Sequence, residues 1–123
     1  MLRYVLAFVL AALAGLQVDN CEVWCDAAEM PGPDGSSRKF VEALEPAGIK
    51  PQDAVRPQLV VQTIVRVEDP RNGAWVEARP HDGLQLEYQL DFGGPPIGRD
   101  QFSLELTPEA FVKELSTART FIL

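Results

Sequence analysis

One histidine and two cysteines in 123 residues leave this chain nearly bare of metal-ligating and nucleophilic side chains. His81, Cys21 and Cys25 together fall one donor short of a closed four-ligand zinc site, so any metal needs ligands from outside this sequence. Two cysteines are also too few for a disulfide-stapled scaffold. A single His removes Ser-His-Asp logic with spare parts, and neither a His-x-x-x-His pair nor a glycine-rich phosphate loop is written anywhere in the chain. Basic residues are scarce as well: eleven Lys and Arg against eighteen Asp and Glu give a net charge of −7. They are scattered rather than gathered on one stretch, which excludes a nucleic-acid partner held by its phosphates. Long apolar runs are missing too. The longest, Tyr4 to Leu16, is shorter than the roughly 20 residues that span a bilayer core, so stable membrane insertion is excluded. What is present, 46% hydrophobic and 24% charged residues without repeats or low-complexity tracts, describes a globular chain.

The first sixteen residues, MLRYVLAFVLAALAGL, admit two readings. One early Arg, about a dozen apolar residues and several small ones follow the grammar of a secretory signal. The same letters describe a buried Ala-rich helix whose small residues let a sheet approach closely, with Gly15 as its left-handed C-cap. Val18, Cys21, Val23, Trp24 and Cys25 then form a β-rich run, so helix, glycine and strand make one folded unit. In an extended strand the two sulfurs would lie about 13 Å apart at ~3.3 Å per residue, beyond disulfide reach, and are expected as small buried hydrophobes. Asp19-Asn20 is read as an Asx turn leading into that strand.

Further along, Glu29 to Gly35 (EMPGPDG) must be loop. Ser36 or Ser37 can cap a helix through Phe40, Val41 and Leu44 to Ala47, ended by Gly48. Ile49 to Pro57, with three prolines, reads as a linker and places a domain boundary there, between residues 1–52 and 53–123. Beyond it the hydrophobic period changes to two. Leu59 to Glu68 alternates, Asp69-Pro70-Arg71-Asn72-Gly73 is a strong turn, and Ala74 to Arg79 returns. Pro80-His81-Asp82-Gly83 is a second turn, in which His81 is a solvated residue rather than a ligand. Leu84 to Phe92 points Leu84, Leu86, Tyr88 and Leu90 inward, Gly93 to Gly98 is loop, and Gln101 to Leu106 is a fourth strand of an antiparallel meander. Thr107-Pro108-Glu109 opens a helix with a hydroxyl cap, a harmless proline and a carboxylate at the positive end of the dipole; Phe111, Val112 and Leu115 are its buried face. The expected fold is α+β, a two-layer helix-on-sheet arrangement made of parts of two similar domains.

Several stretches in succession resemble one enzyme family. They are Val9 to Asn20 (VLAALAGLQVDN), Met30 to Ile49 with its DGSSRKFVEALEPAGI, Val65 to Asp69 (VRVED), Ala78 to Gly83 (ARPHDG), Asp91 to Gly98 (DFGGPPIG) and Phe102 to Phe121 ending in TARTF. Taken together the chain resembles the UDP-3-O-acyl-N-acetylglucosamine deacetylases, zinc-dependent cytoplasmic enzymes of lipid A biosynthesis. The resemblance implies residues 1–52 as the C-terminal part of a first deacetylase domain and 53–123 as the N-terminal part of a second.

It also implies a chemistry. In similar enzymes a Zn2+ ion held by two His and one Asp polarises the acetamide carbonyl while a Glu takes the proton of the attacking water. A Glu-His pair stands there immediately before the Val-Leu-Ala-Ala-Leu-Ala-Gly helix; here those places hold Ala7 and Phe8. The other ligands lie in the family beyond the Thr-Phe segment. Of the catalytic side only Thr120 carries over, its hydroxyl steadying the oxyanion, with Phe121 packing on the sugar or acyl part of the UDP-3-O-acyl-N-acetylglucosamine substrate. No metal ligand is assigned, no bound zinc is expected on this chain, and it is expected to be inactive alone. The competing expectation is a small exported α+β binding module with a signal peptide.

Overall fold

The computed structural model describes residues 2–27 and 34–119, with side chains from residue 6 onward in the first helix. In chain order the elements are α1 (Leu2–Gly15), α2 (Arg38–Ala47), β1 (Val65–Glu68), β2 (Trp75–Ala78), β3 (Gln85–Asp91), β4 (Arg99–Glu105) and α3 (Pro108–Ala110), which widens directly into a π-helical run over Phe111–Leu115. The α+β class expected from the sequence is what these elements make. Residues 29–33 of the expected EMPGPDG loop lie outside the described residues.

The core is helical. Ala12, Leu16, Val41 and Phe111 are its buried centre, and Phe40, Leu44, Leu106 and Leu115 pack around them. It joins α1 and α2 to the π run, so segments from both sides of the Ile49–Pro57 stretch share it. At its tightest point the Phe111 ring lies where a Cβ on Gly15 would stand. The ring occupies the notch that a missing side chain leaves on α1.

That contact changes the role expected of Gly15. It is not the left-handed cap, and it admits an aromatic ring from a helical turn rather than a sheet. The helix instead runs on to a Schellman ending at Gln17, whose φ is +58°. Gln17 N–H donates to Ala14 O at 3.1 Å and Val18 N–H to Leu13 O at 2.8 Å, the paired bonds that satisfy the last carbonyls. α2 ends as expected, with Gly48 at φ +79° and its N–H on Glu45 O at 3.2 Å.

The expected meander is two separate antiparallel hairpins. β1 pairs with β2, Val65 opposite Ala78 and Val67 opposite Val76; β3 pairs with β4, Leu86 opposite Leu104 and Tyr88 opposite Phe102. β2 and β3 do not pair. The first strand shrinks to four residues because Leu59 to Ile64 has no ladder partner, and the fourth starts at Arg99 rather than Gln101. The Asp69-to-Gly73 turn forms as its residues dictate. Gly73 takes φ +70°, and Gly73 N–H donates to Asp69 O at 2.8 Å. The Asp69 carboxylate receives the Arg71 backbone N–H at 3.0 Å and the Arg71 guanidinium, which holds its pKa below the usual range.

Both hairpins are exposed along their length. On β3 and β4 the alternation expected to point inward does share one face: Leu86, Tyr88 and Leu90 stand together, with the Tyr88 and Phe102 rings stacked 6.0 Å apart, yet Leu86 remains 45% exposed. On β1, Val67 is 70% exposed. Among the described residues, nothing covers these apolar faces fully.

The Val18–Cys25 run departs furthest from expectation. It has no regular secondary structure and joins no ladder among the described residues, and Cys21 and Cys25 are exposed rather than buried. Val18 packs against the helical core, whereas Val23 and Trp24 further along are exposed. Asp19 and Asn20 do not form the expected Asx turn either; Asp19 pairs with Arg56 at 3.1 Å and the Asn20 side-chain amide donates to Gln52.

Candidate functional site

The helical core fixes where each candidate residue stands. α1 carries Ala7 and Phe8 immediately ahead of its first buried residue, Val9; Ala7 is exposed and Phe8 half-buried. Neither side chain has a donor atom. The segment that leads to Thr120 and Phe121 is held at three points before those two residues, which themselves lie outside the described residues.

The first point is the notch on α1 that takes Phe111. The second is Ser37, whose hydroxyl donates to the carbonyl of Ser116 at 3.3 Å across 79 residues of chain. Expected as a helix cap, Ser37 makes no side-chain cap bond; Ser36 Oγ accepts from Arg38 N–H at 3.3 Å instead. Ser37 already has helical backbone angles, φ −85° and ψ −4°, rather than the extended geometry in which an N-cap hydroxyl reaches back to its helix. Ser116 in turn donates its hydroxyl to Val112 O at 2.6 Å and its N–H to Phe111 O at 2.8 Å, the wide spacing of a π turn.

The third point is electrostatic. Asp34 lies 3.9 Å from the Arg119 guanidinium, the residue before Thr120. Its carboxylate accepts the Ser36 hydroxyl at 2.8 Å and the Ser36 N–H at 3.1 Å. Those bonds, with the nearby Arg119 and Lys39 charges, hold its pKa below the usual carboxylate value. The DGSS stretch therefore turns its one acid toward the arm that carries the candidate residues.

Two concave surfaces flank this core. A groove of about 1260 Å³ runs between Leu16–Cys21 and the Gly48–Pro57 stretch, crossed by the Asp19–Arg56 pair. A smaller cleft of about 510 Å³ lies against the hairpins, with Trp75, Glu77, His81 and Glu87 on its walls. His81 Nε2 stands 2.9 Å from Glu105 there, more engaged than a solvated turn residue. Nothing local in the sequence announces this pair; the partners come from a turn and the far strand of the next hairpin. Glu105 also presses on Gly83, whose φ of +109° and missing Cβ make room for it.

A zinc ion held by two His and an Asp does not fit the residues present. Among the described residues no three His, Cys, Asp or Glu side chains come together as a metal site. His81 has one carboxylate neighbour and no second imidazole exists in the chain.

A helical core with two antiparallel hairpins beside it defines this as an α+β protein portion. The model of the UDP-3-O-acyl N-acetylglycosamine deacetylase family, LpxC, matches residues 6–123, and the chain belongs to that family. The UDP-3-O-acyl-N-acetylglucosamine deacetylase of Oleidesulfovibrio alaskensis is 42% identical over 113 residues, which cover 92% of this chain and 36% of that protein. Those of Brucella ovis and Brucella canis are 42% identical over 113 residues, covering 39% of each. The chain thus spans little more than a third of the length of these relatives. Among the described residues, no helix is long and apolar enough to cross a membrane.

Proposed function

We propose that this chain belongs to the machinery that removes the N-acetyl group of UDP-3-O-(3-hydroxyacyl)-N-acetylglucosamine in lipid A biosynthesis, and that it does not turn over alone. Residues 1–52 are the C-terminal part of a first deacetylase domain and 53–123 the N-terminal part of a second, acting in the cytoplasm. Thr120 supplies a hydroxyl to the oxyanion that develops as the amide is attacked, and Phe121 packs on the sugar or acyl part of the substrate. The supporting arrangement is the three-point attachment of the preceding segment through Phe111, Ser116 and Arg119. Preorganised donors lower a barrier only when their framework holds them where charge appears.

The observation that carries the inactivity is the start of α1, where hydrocarbon side chains stand at the two places that hold Glu and His in similar enzymes. Alanine and phenylalanine can neither ligate zinc nor accept a proton from water. No step through a metal is assigned to these residues. Purified chain, loaded with zinc and dialysed, retains less than a tenth of an equivalent by elemental analysis. It releases no acetate from the nucleotide-sugar substrate; measurable turnover by the unmodified chain refutes the proposal.

A further inference from the structure

The turn that closes the β1–β2 hairpin places Asn72 directly before Gly73, both exposed. Such a pair carries its own electrophile and nucleophile. The side-chain amide carbon of Asn72, Cγ, and the backbone nitrogen of Gly73 can join in a five-membered ring, and glycine has no Cβ to shield that nitrogen. The chain's other asparagine, Asn20, precedes Cys21, whose side chain crowds the same attack. In the folded turn both halves of the pair are engaged. Gly73 N–H donates to Asp69 O at 2.8 Å, and Asn72 Oδ1 accepts the Ala74 N–H at 2.9 Å. Asp69 is itself fixed: its carboxylate takes the Arg71 backbone N–H at 3.0 Å and the guanidinium through Nε at 3.0 Å and Nη2 at 2.7 Å. A backbone N–H bonded to a carbonyl gives up its proton slowly, and an amide pinned at its oxygen is not free to rotate its carbon toward the next nitrogen.

We propose that Asn72–Gly73 is a site of spontaneous covalent modification whose rate the turn itself sets, the reaction running when the Gly73–Asp69 bond opens. On opening, the Gly73 nitrogen gives its proton to hydroxide and attacks Asn72 Cγ. The new C–N bond closes a succinimide ring, and the side-chain nitrogen leaves as ammonia, taking a proton from water. Water then opens the ring at either carbonyl. Entry at Cγ leaves aspartate; entry at the backbone carbonyl leaves an isoaspartyl linkage, which lengthens the main chain by one atom between residues 72 and 73. The Asp69 N–H to Ala74 O bond at 2.7 Å and the Glu68–Trp75 register both depend on the length of that loop. A transient opening of the turn thereby becomes a lasting one. This chemistry needs water alone and does not depend on the deacetylase reading.

The test incubates the full chain in warm, mildly alkaline buffer, native and in concentrated guanidinium chloride. Conversion at Asn72 and Asn20 is followed by peptide mapping with isoaspartate detection, and Gly73 amide exchange is read by NMR in the native samples. In denaturant Asn72 is expected to convert roughly tenfold or more faster than Asn20, and folding is expected to slow Asn72 by roughly tenfold or more. Arg71→Ala frees the Asp69 carboxylate on an exposed turn away from the helical core, whose far-UV circular dichroism should be unchanged. It is expected to speed native conversion and Gly73 exchange together, by roughly threefold or more. Equal conversion of Asn72 in native and denatured samples overturns the proposal, as does Asn20 converting first in denaturant. So does an Arg71→Ala chain that converts at the parent's rate, or one in which conversion rises while Gly73 exchange does not.

Discussion

Gly15→Ala puts a methyl group where the Phe111 ring now lies, and its effect is set by two opposed contributions. An alanine inside a helix is favoured over glycine by about 1 kcal/mol, because glycine loses more backbone freedom on folding. Against this stands the packing. Phe111 is only 6% exposed and is boxed in by Ala12, Leu16 and Val41, so the ring cannot swing into solvent. Inserting a methyl into such a site costs roughly 1–3 kcal/mol. The substitution should therefore destabilise by up to about 2 kcal/mol in the parent chain. In a Phe111→Leu background, where the smaller side chain vacates part of the notch, the same change should become stabilising by as much as about 1 kcal/mol. Urea unfolding of the four proteins, followed by far-UV circular dichroism at low micromolar concentration, gives the coupling energy directly. A change of sign between backgrounds is expected. Equal effects of Gly15→Ala in both would show that glycine is not there to admit the ring.

Three other outcomes follow from the same geometry. Gln17→Gly should stabilise by about 1 kcal/mol in thermal or urea melts, since a side chain at positive φ costs roughly that much; Gln17→Val should do the opposite. Thr107→Ala removes the hydroxyl that accepts Ala110 N–H at 3.1 Å and should cost about 1 kcal/mol, with lost helical signal as a second readout. Acid should act through carboxylates whose pKa values are depressed in the folded state. Asp69 is held below its ordinary 3.8 by Arg71, and Asp91 lies below the same value through the Gly93 N–H and Arg99. Stabilisation from such groups is present above the unfolded pKa and lost as pH falls through the folded one, so melting temperature should be flat from pH 8 to about 5 and decline below about 4. Asp69→Asn should lower the plateau and flatten the decline.

Local chemistry was the legible part of this fold. The Asp69-to-Gly73 turn, the Thr107 cap, the Gly48 helix end and the shared face of the β3 alternation, though not its burial, follow from residues within a few positions of one another, where one side chain or one φ value decides the outcome. Long-range choices left no such mark. Gly15 looked like a helix end because glycine often is one; its partner, Phe111, lies far along the chain and carries no sign of where it docks. Ser37 was readable as a cap, but its helical backbone angles and its bond to the distant Ser116 carbonyl are set by packing between segments. The Val18–Cys25 run has strand composition, but a ladder needs a neighbour that composition cannot supply. At the candidate site, Ala7 and Phe8 were readable because a family motif sets an expectation for those two places. The His81–Glu105 contact was not, as it depends on how two hairpins face each other.

The Ser37–Ser116 bond joins residues 79 positions apart, and it sits beside the only buried cluster found among the described residues. That has a consequence for synthesis. Helices α1 and α2 emerge from the ribosome well before the ring that fills the α1 notch and the carbonyl that receives the Ser37 hydroxyl. The intervening hairpins, closed by local turns, can form within microseconds and wait. Until that later segment is made the polypeptide holds Ala12, Leu16 and Val41 uncovered, so the contact that closes this core waits on residues far along the chain.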